Sequence, residues 1–212
     1  MLLLAFDTAT PSIGVAVHDG EKVVGQAHGE GAMAHGELLA PAIKSAMAAA
    51  GRTMAELTDV AVGVGPGPFT GLRVGVVTAL TLSQTLGLRA HGVCTLDTLA
   101  AEAAAQVGTD FVAAIDARRK EVYWARYDAS GQPLTGPQVD RPAEVAELAL
   151  PVVGRGAKLY AELLNWQESA PLDPSAAVMA AKVAAGQITT YPLEPLYLRR
   201  PDATAQVGIK HA

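Results

Sequence analysis

Residues 63–75 read Gly-Val-Gly-Pro-Gly-Pro-Phe-Thr-Gly-Leu-Arg-Val-Gly, five glycines and two prolines set between an apolar run and a helical pattern. Glycine accepts positive φ and lets a ligand approach the backbone. The free N–H groups of the helix that follows, with Thr70 as its candidate cap, favour a phosphate. The loop lacks the Gly-Lys-Ser/Thr ending of a Walker A motif and does not fit the Rossmann fingerprint. A phosphate cradle and a plain tight turn therefore both stay open. Asp7 stands at a strand end with the hydroxyls of Thr8 and Thr10 beside it, a setting suited to a hydrated metal or a phosphate. Its competing reading is a turn aspartate that accepts backbone N–H bonds.

The other reactive residue types give less. His35 has Leu39 at the position where a second helical metal ligand would stand, and His18, His28, His91 and His211 are scattered. The serines lack a Gly-x-Ser-x-Gly setting. Cys94 sits among apolar neighbours and reads as a buried structural thiol, which with the absence of a second cysteine points to a cytoplasmic location. Arg118, Arg119 and Lys120 beside Tyr123, Trp124 and Tyr127 suggest RNA binding by charge and stacking. Strand alternation puts Tyr123 and Tyr127 on one face and Val122 and Trp124 on the other, so sheet packing accounts for these aromatics at least as well.

The elements that must position these residues follow from periodicity and turn chemistry. Half of the 212 residues are hydrophobic and the formal charge is -5, which describes a folded chain with little grip of its own on nucleic acid. Met1–Phe6 reads as a buried strand and not a signal peptide, because no basic residue precedes it and Asp7 interrupts it. Strands are expected at Leu2–Phe6, Ile13–Val17 and Lys22–Ala27, the last two joined at Asp19-Gly20. A helix from His35 to Ala50, a capping box at Thr53–Glu56, a buried strand Val60–Val64, and a helix Thr70–Leu86 ended by Gly87 come next. Strand Ala90–Val93 and helix Leu96–Gln106 complete a first lobe, 1–108. A second lobe, 109–190, restarts with strands Phe111–Ile115 and Val122–Tyr127. It continues with helices over Pro142–Leu150, Ala157–Leu164 and Pro174–Gly186, and a short strand Val152-Val153. Residues 191–212 form a tail whose polar end is expected to be partly disordered.

In the Thr70–Leu86 helix, Gly71, Gly75, Ala79 and Ser83 recur every four residues and line one face with small side chains. Such a stripe lets another element approach closely, either the protein's own sheet or a partner helix.

Three segments together carry a family resemblance: Ala5-Phe6-Asp7-Thr8-Ala9-Thr10, the Gly65–Gly75 block, and Ala114-Ile115-Asp116-Ala117-Arg118-Arg119-Lys120-Glu121-Val122-Tyr123. With the closing Glu194-Pro195-Leu196-Tyr197-Leu198-Arg199, they resemble the bacterial TsaB family, also called YeaZ, in order over nearly the whole chain. The resemblance implies an α/β fold of the ASKHA type (actin, sugar kinase, heat-shock ATPase) with two duplicated lobes, the second reduced. It implies a non-catalytic part in forming N6-threonylcarbamoyladenosine at position 37 of tRNAs that read codons beginning with A. The partners implied are a TsaD-type transferase and a TsaE-type ATPase, with a homodimer through the same surface as an alternative pairing. Contact with tRNA is then indirect and no membrane is involved.

The family docks through helices of the first lobe, which points here to His35, Leu38, Leu39, Gly71, Leu72, Gly75, Val76, Ala79 and Ser83. No cofactor is required on this reading. A weak or vestigial ATP or ADP site would fall at Asp7, Thr8, Gly65, Gly67, Thr70, Gly154 and Gly156. The rival is an autonomous ASKHA ATPase or small-molecule kinase with Asp7, Gly67, Thr70 and Arg73 around the phosphates.

Overall fold

The first apolar run is buried on both sides, and that decides the architecture. In the computed structural model, which describes residues 1–30 and 35–199, strand β1 (Leu3–Asp7) is buried at every position. It pairs antiparallel with β2 (Ser12–His18). Leu4 and Phe6 point to one face and Leu3 and Ala5 to the other, as the two-residue period of a strand requires. Each face then needs its own cover.

The chain supplies it in order. β3 (Val23–Glu30) extends the sheet, α1 (His35–Ala49) follows, and a 3-10 turn at Met54–Glu56 leads to β4 (Asp59–Gly63), parallel to β1. Next come α2 (Phe69–Leu86), β5 (Arg89–Val93) and α3 (Thr95–Val107). Leu39, Ile43 and Met47 of α1 join Leu72, Val76 and Ala79 of α2 over the Leu4/Phe6 face. Gly87, at φ 67, ends α2 in the left-handed conformation that glycine accepts without strain.

A second sheet restarts with β6 (Phe111–Asp116) and β7 (Val122–Tyr127), again antiparallel, and adds β8 (Gln138–Asp140) at its edge. After α4 (Pro142–Ala146), β9 (Val152–Val153) runs parallel to β6. Then α5 (Arg155–Leu159), α6 (Ala176–Ala184) and β10 (Thr190–Tyr191) complete the elements among the described residues. The strand orders are β10-β5-β4-β1-β2-β3 and β8-β7-β6-β9. Both lobes therefore open with strand, turn and antiparallel return, and later lay a strand parallel to the first. This is the duplicated, second-lobe-reduced α/β arrangement of the ASKHA type.

Several sequence expectations need correction. The range 109–190 does not form one lobe, because α6 and β10 return to the first sheet. Met179, Ala180 and Val183 of α6 cover the Leu3/Ala5 face, which would otherwise lie open to water. The helices expected over Pro142–Leu150 and Ala157–Leu164 are five residues each, at Pro142–Ala146 and Arg155–Leu159. Strands β8 and β10 were not expected, being short edge strands of three and two residues with little apolar pattern. The expected disorder of the polar tail concerns residues 200–212, outside the described residues.

Candidate functional site

The glycine loop's ligand is the chain's own turn. Asp7 Oδ1 accepts the Ala9 N–H at 2.7 Å, and Oδ2 accepts the Thr95 hydroxyl at 2.9 Å. The Thr8 hydroxyl donates to the Gly71 carbonyl at 2.8 Å. Around this turn stand Gly63, Gly67, Gly71 and Gly75. A Cβ at Gly63 would strike the Asp7 carboxylate, at Gly71 the Thr8 carbonyl, and at Gly75 the Thr8 hydroxyl. At Gly67 it would lie 2.6 Å from the Ala9 carbonyl. The missing side chains make room for residues 7–9 and not for a phosphate.

Burial sets the electrostatics there. Asp7 is 1% exposed, and desolvation pushes its pKa up to about 6, against the pull of the Ala9 N–H and the Thr95 hydroxyl. Thr8 is equally buried. Neither side chain is open to a metal or a nucleotide in this arrangement, which corrects their expected place in a nucleotide site. Gly65 and Gly67 are buried too. Thr70 is exposed in the first turn of α2, but the N-cap position is Pro68, with no side-chain cap. A Cβ at Gly154, where φ is 96, would strike the Ala114 carbonyl, and one at Gly156 would lie 2.9 Å from the Ala114 carbonyl carbon, so both serve the close packing of α5 on β6.

Between the lobes lies a cleft of about 510 Å³, lined by Ala9, Thr10, Pro11, Pro68, Ile115, Asp116, Arg118, Arg155, Lys158 and Leu159. Its cations have protein partners: Arg118 meets Asp116 at 3.4 Å, Arg155 meets Asp173 at 2.6 Å, and Lys158 lies 5.8 Å from the Trp166 ring centroid. Of the expected nucleotide residues, none lines it. Arg73, placed at the phosphates by the rival reading, instead donates to the Tyr197 hydroxyl at 2.9 Å.

The expected docking stripe also faces inward. Gly71, Leu72, Gly75, Val76 and Ala79 are buried against the sheet and the Asp7 turn, and Leu39 lies in the same core. His35 is buried, with its Nε2 2.8 Å from the Thr10 carbonyl, and so pins α1 to that turn. Leu38 is partly buried, and the Ser83 hydroxyl donates to the Leu88 carbonyl at 3.0 Å. Small residues every four positions fit an inward face as well as an outward one, and here the helix is rotated toward its own strand.

The outward face of α2 is a different set, with Val77 58% and Leu80 41% exposed. Between α2 and α1 runs a separate groove of about 520 Å³ lined by Ile43, Lys44, Met47, Thr78 and Leu82, among others. Sequence reasoning passed over this face because single exposed apolar residues on a helix carry no pattern until the buried side is known.

The remaining candidates are structural. Tyr123, Trp124 and Tyr127 are buried, with Trp124 donating to Asp140 at 2.8 Å and Tyr127 to Asp97 at 2.7 Å, which removes them from RNA stacking. Cys94 is 1% exposed, and burial holds its thiol protonated, unfit as a nucleophile. Among the described residues no three histidine, cysteine or acidic side chains gather as a metal site. None of the helices among them is long and apolar enough to cross a membrane.

A two-lobed fold with a sealed glycine loop has relatives. A family model described as TsaD, tRNA N6-adenosine threonylcarbamoyltransferase, matches residues 29–191. The uncharacterized protein Rv3421c of Mycobacterium tuberculosis is 43% identical over 204 residues, covering 95% of this chain and 93% of its own. The chain spans 56% of the length of the uncharacterized protein ML0378 of Mycobacterium leprae, at 41% identity. It is 39% identical over 129 residues to the tRNA threonylcarbamoyladenosine biosynthesis protein TsaB of Escherichia coli, a match covering 60% of this chain and 55% of that protein. The solved structure of YeaZ from Pseudomonas aeruginosa superposes with a TM-score of 0.76 at 28% identity, over 93% of this chain and 99% of that one. With the sequence blocks, the duplicated topology and these matches in agreement, the chain belongs to the TsaB (YeaZ) family.

Proposed function

We propose that this protein is a non-catalytic subunit of the cytoplasmic machinery that forms N6-threonylcarbamoyladenosine on tRNA. On this reading it binds and activates a TsaD-type transferase, together with a TsaE-type ATPase. The observation that carries it is the outer surface of α1 and α2, which presents an apolar groove between the two helices and, on other sides of α2, exposed Val77 and Leu80. Exposed apolar side chains and an apolar groove on one helix pair mark a surface that gains by being covered. The non-catalytic part is supported by the glycine loop, whose close-approach space residues 7–9 fill, and by a buried, protonated Cys94. No cofactor is needed, and contact with tRNA runs through the partner. A second copy of the chain competes for the same face.

The test is transfer of the threonylcarbamoyl group to tRNA by the purified partners, with and without this chain. Full activity without it sinks the proposal. The double variant Val77→Glu/Leu80→Glu should weaken partner binding by at least about tenfold, or about 1.4 kcal/mol, with an unchanged melting temperature. Normal binding by that folded variant would move the interface elsewhere.

The autonomous ATPase or kinase retains one favourable observation, the cation-bearing cleft of about 510 Å³. Calorimetric titration of the isolated protein with ATP separates the two readings. Saturable binding at millimolar concentration or better, coupled to hydrolysis or transfer, favours the enzyme.

A further inference from the structure

After β10 the chain crosses both lobes and bonds to each. On the first lobe, the Leu196 amide donates to the Val64 carbonyl at 2.7 Å, where the glycine loop begins. Arg73 Nε donates to the Tyr197 hydroxyl at 2.9 Å, and the Tyr197 ring lies 5.0 Å from that of Phe69, centroid to centroid. On the second lobe, Arg199 Nη1 donates to the Ala117 carbonyl at 3.0 Å, its guanidinium pairs with Glu121, and it lies 5.8 Å from the Tyr123 ring centroid. Between these anchors, Leu196 packs against the cores of both lobes.

The anchors flank the cleft. Ala117 adjoins Arg118, which lines one bank, and Phe69 adjoins Pro68, which lines the other. A further link, α3, is fastened to the first lobe at its start, where the Thr95 amide donates to Gly65 and the Thr95 hydroxyl to Asp7, and then packs on β6. A helix held at one end and packed along a second sheet is a place about which two lobes can rock. Any rocking that changes the gap between the glycine loop and the β6–β7 turn must break a bond at one end of the tail. The Arg199–Glu121 pair is 21% and 31% exposed, so it is better shielded from water than an open surface pair.

We propose that Leu196–Arg199 is an interlobe clasp that holds the cleft at one width and makes the two lobes a single rigid body. The inference does not depend on the identity of any partner. It predicts a narrow distribution of interlobe distances, which spin labels at Gln84→Cys and Glu162→Cys, both exposed positions, would read by pulsed electron resonance. Cys94 stays unlabelled because it is buried. In the Tyr197→Ala/Arg199→Ala protein, shown folded by circular dichroism, the distribution should shift, or broaden by about twofold or more. Superimposable distributions would overturn the clasp. If the double variant does not fold, hydrogen exchange in the unmodified protein decides. The Leu196 amide should exchange at least about a hundredfold more slowly than an unstructured peptide, and exchange at the peptide rate would overturn the proposal.

Discussion

The two lobes open with the same device and treat it in opposite ways. Asp7 accepts the Ala9 N–H at 2.7 Å and Asp116 accepts the Arg118 N–H at 2.8 Å, each at the end of the first strand of its sheet. Over the first turn lie four glycines, set so that nothing but backbone separates it from β4 and α2. The second turn stands open: the Asp116 side chain is 27% exposed beside the cleft, and Arg118, Arg119 and Lys120 hold φ of 60, 54 and 61. Left-handed conformations cost non-glycine residues roughly 1–2 kcal/mol each. One turn is sealed by removing side chains, and the other keeps its side chains in water at a cost in backbone strain.

The sealed turn is where substitution should do most harm. Gly75→Leu would drive a branched side chain into the hydroxyl of Thr8, in the buried turn, and toward Val62 of β4. Overpacking at such a site is expected to exceed about 4 kcal/mol and to leave little soluble, folded protein. Soluble yield and thermal melting check this. A Gly75→Leu protein that melts like the parent would mean that α2 can stand off from the turn, and the contrast between the lobes would fail. Read from sequence alone, the same substitution tests a docking surface. The structure makes it a test of folding.

Asp7 carries the next largest effect, through pH. Burial raises its pKa from 3.8 to about 6, so the folded state favours the protonated form. Its contribution to stability is fully present below about pH 4 and is lost as pH rises through about 6, a change of about 3 kcal/mol. Asp7→Asn keeps an acceptor for the Ala9 N–H and turns the other arm into a donor toward Thr95. Urea unfolding from pH 4 to 7 should therefore show a shallower decline in the variant. Part of the slope will persist, because burial also raises Asp97. An identical slope in both proteins would show that Asp7 is not sealed from water.

Much of the first lobe was legible because its strands and helices obey a single period each. β1 reads as a run buried on both faces, α2 as a helix stopped by Gly87, and Thr53–Glu56 as a capping box. The site was less legible for a physical reason. Glycines needed for close approach look the same whether the visitor is a phosphate or residues 7–9, and only the third dimension says which. Direction on a helix has the same ambiguity: the four-residue stripe fixed a face of α2 but not whether it turned in or out. The bonds that join Thr95 to Asp7 and Arg73 to Tyr197 span 88 and 124 residues, separations at which no local pattern exists. The return of α6 to the first sheet is hidden in the sequence for a similar reason, since its apolar face fits either lobe.

The smallest effect tests the open turn. Lys120 is exposed and holds φ 61, a conformation that glycine reaches without steric strain. Lys120→Gly should relieve roughly 1–2 kcal/mol of strain and return some of it as added freedom of the unfolded chain, for a net gain of up to about 1 kcal/mol. Lys120→Ala should stay within about 0.5 kcal/mol of the parent, since it leaves the strain in place. The matched change on the sealed side is Gly67→Ala, whose new methyl would meet the Ala9 carbonyl at 2.6 Å and should destabilise by about 1–3 kcal/mol. Opposite signs at Lys120 and Gly67 in denaturant melts are what the two turns require. A loss of stability in Lys120→Gly would mean that the β6–β7 turn is held by its side chains, and the two lobes would then differ less than their backbones indicate.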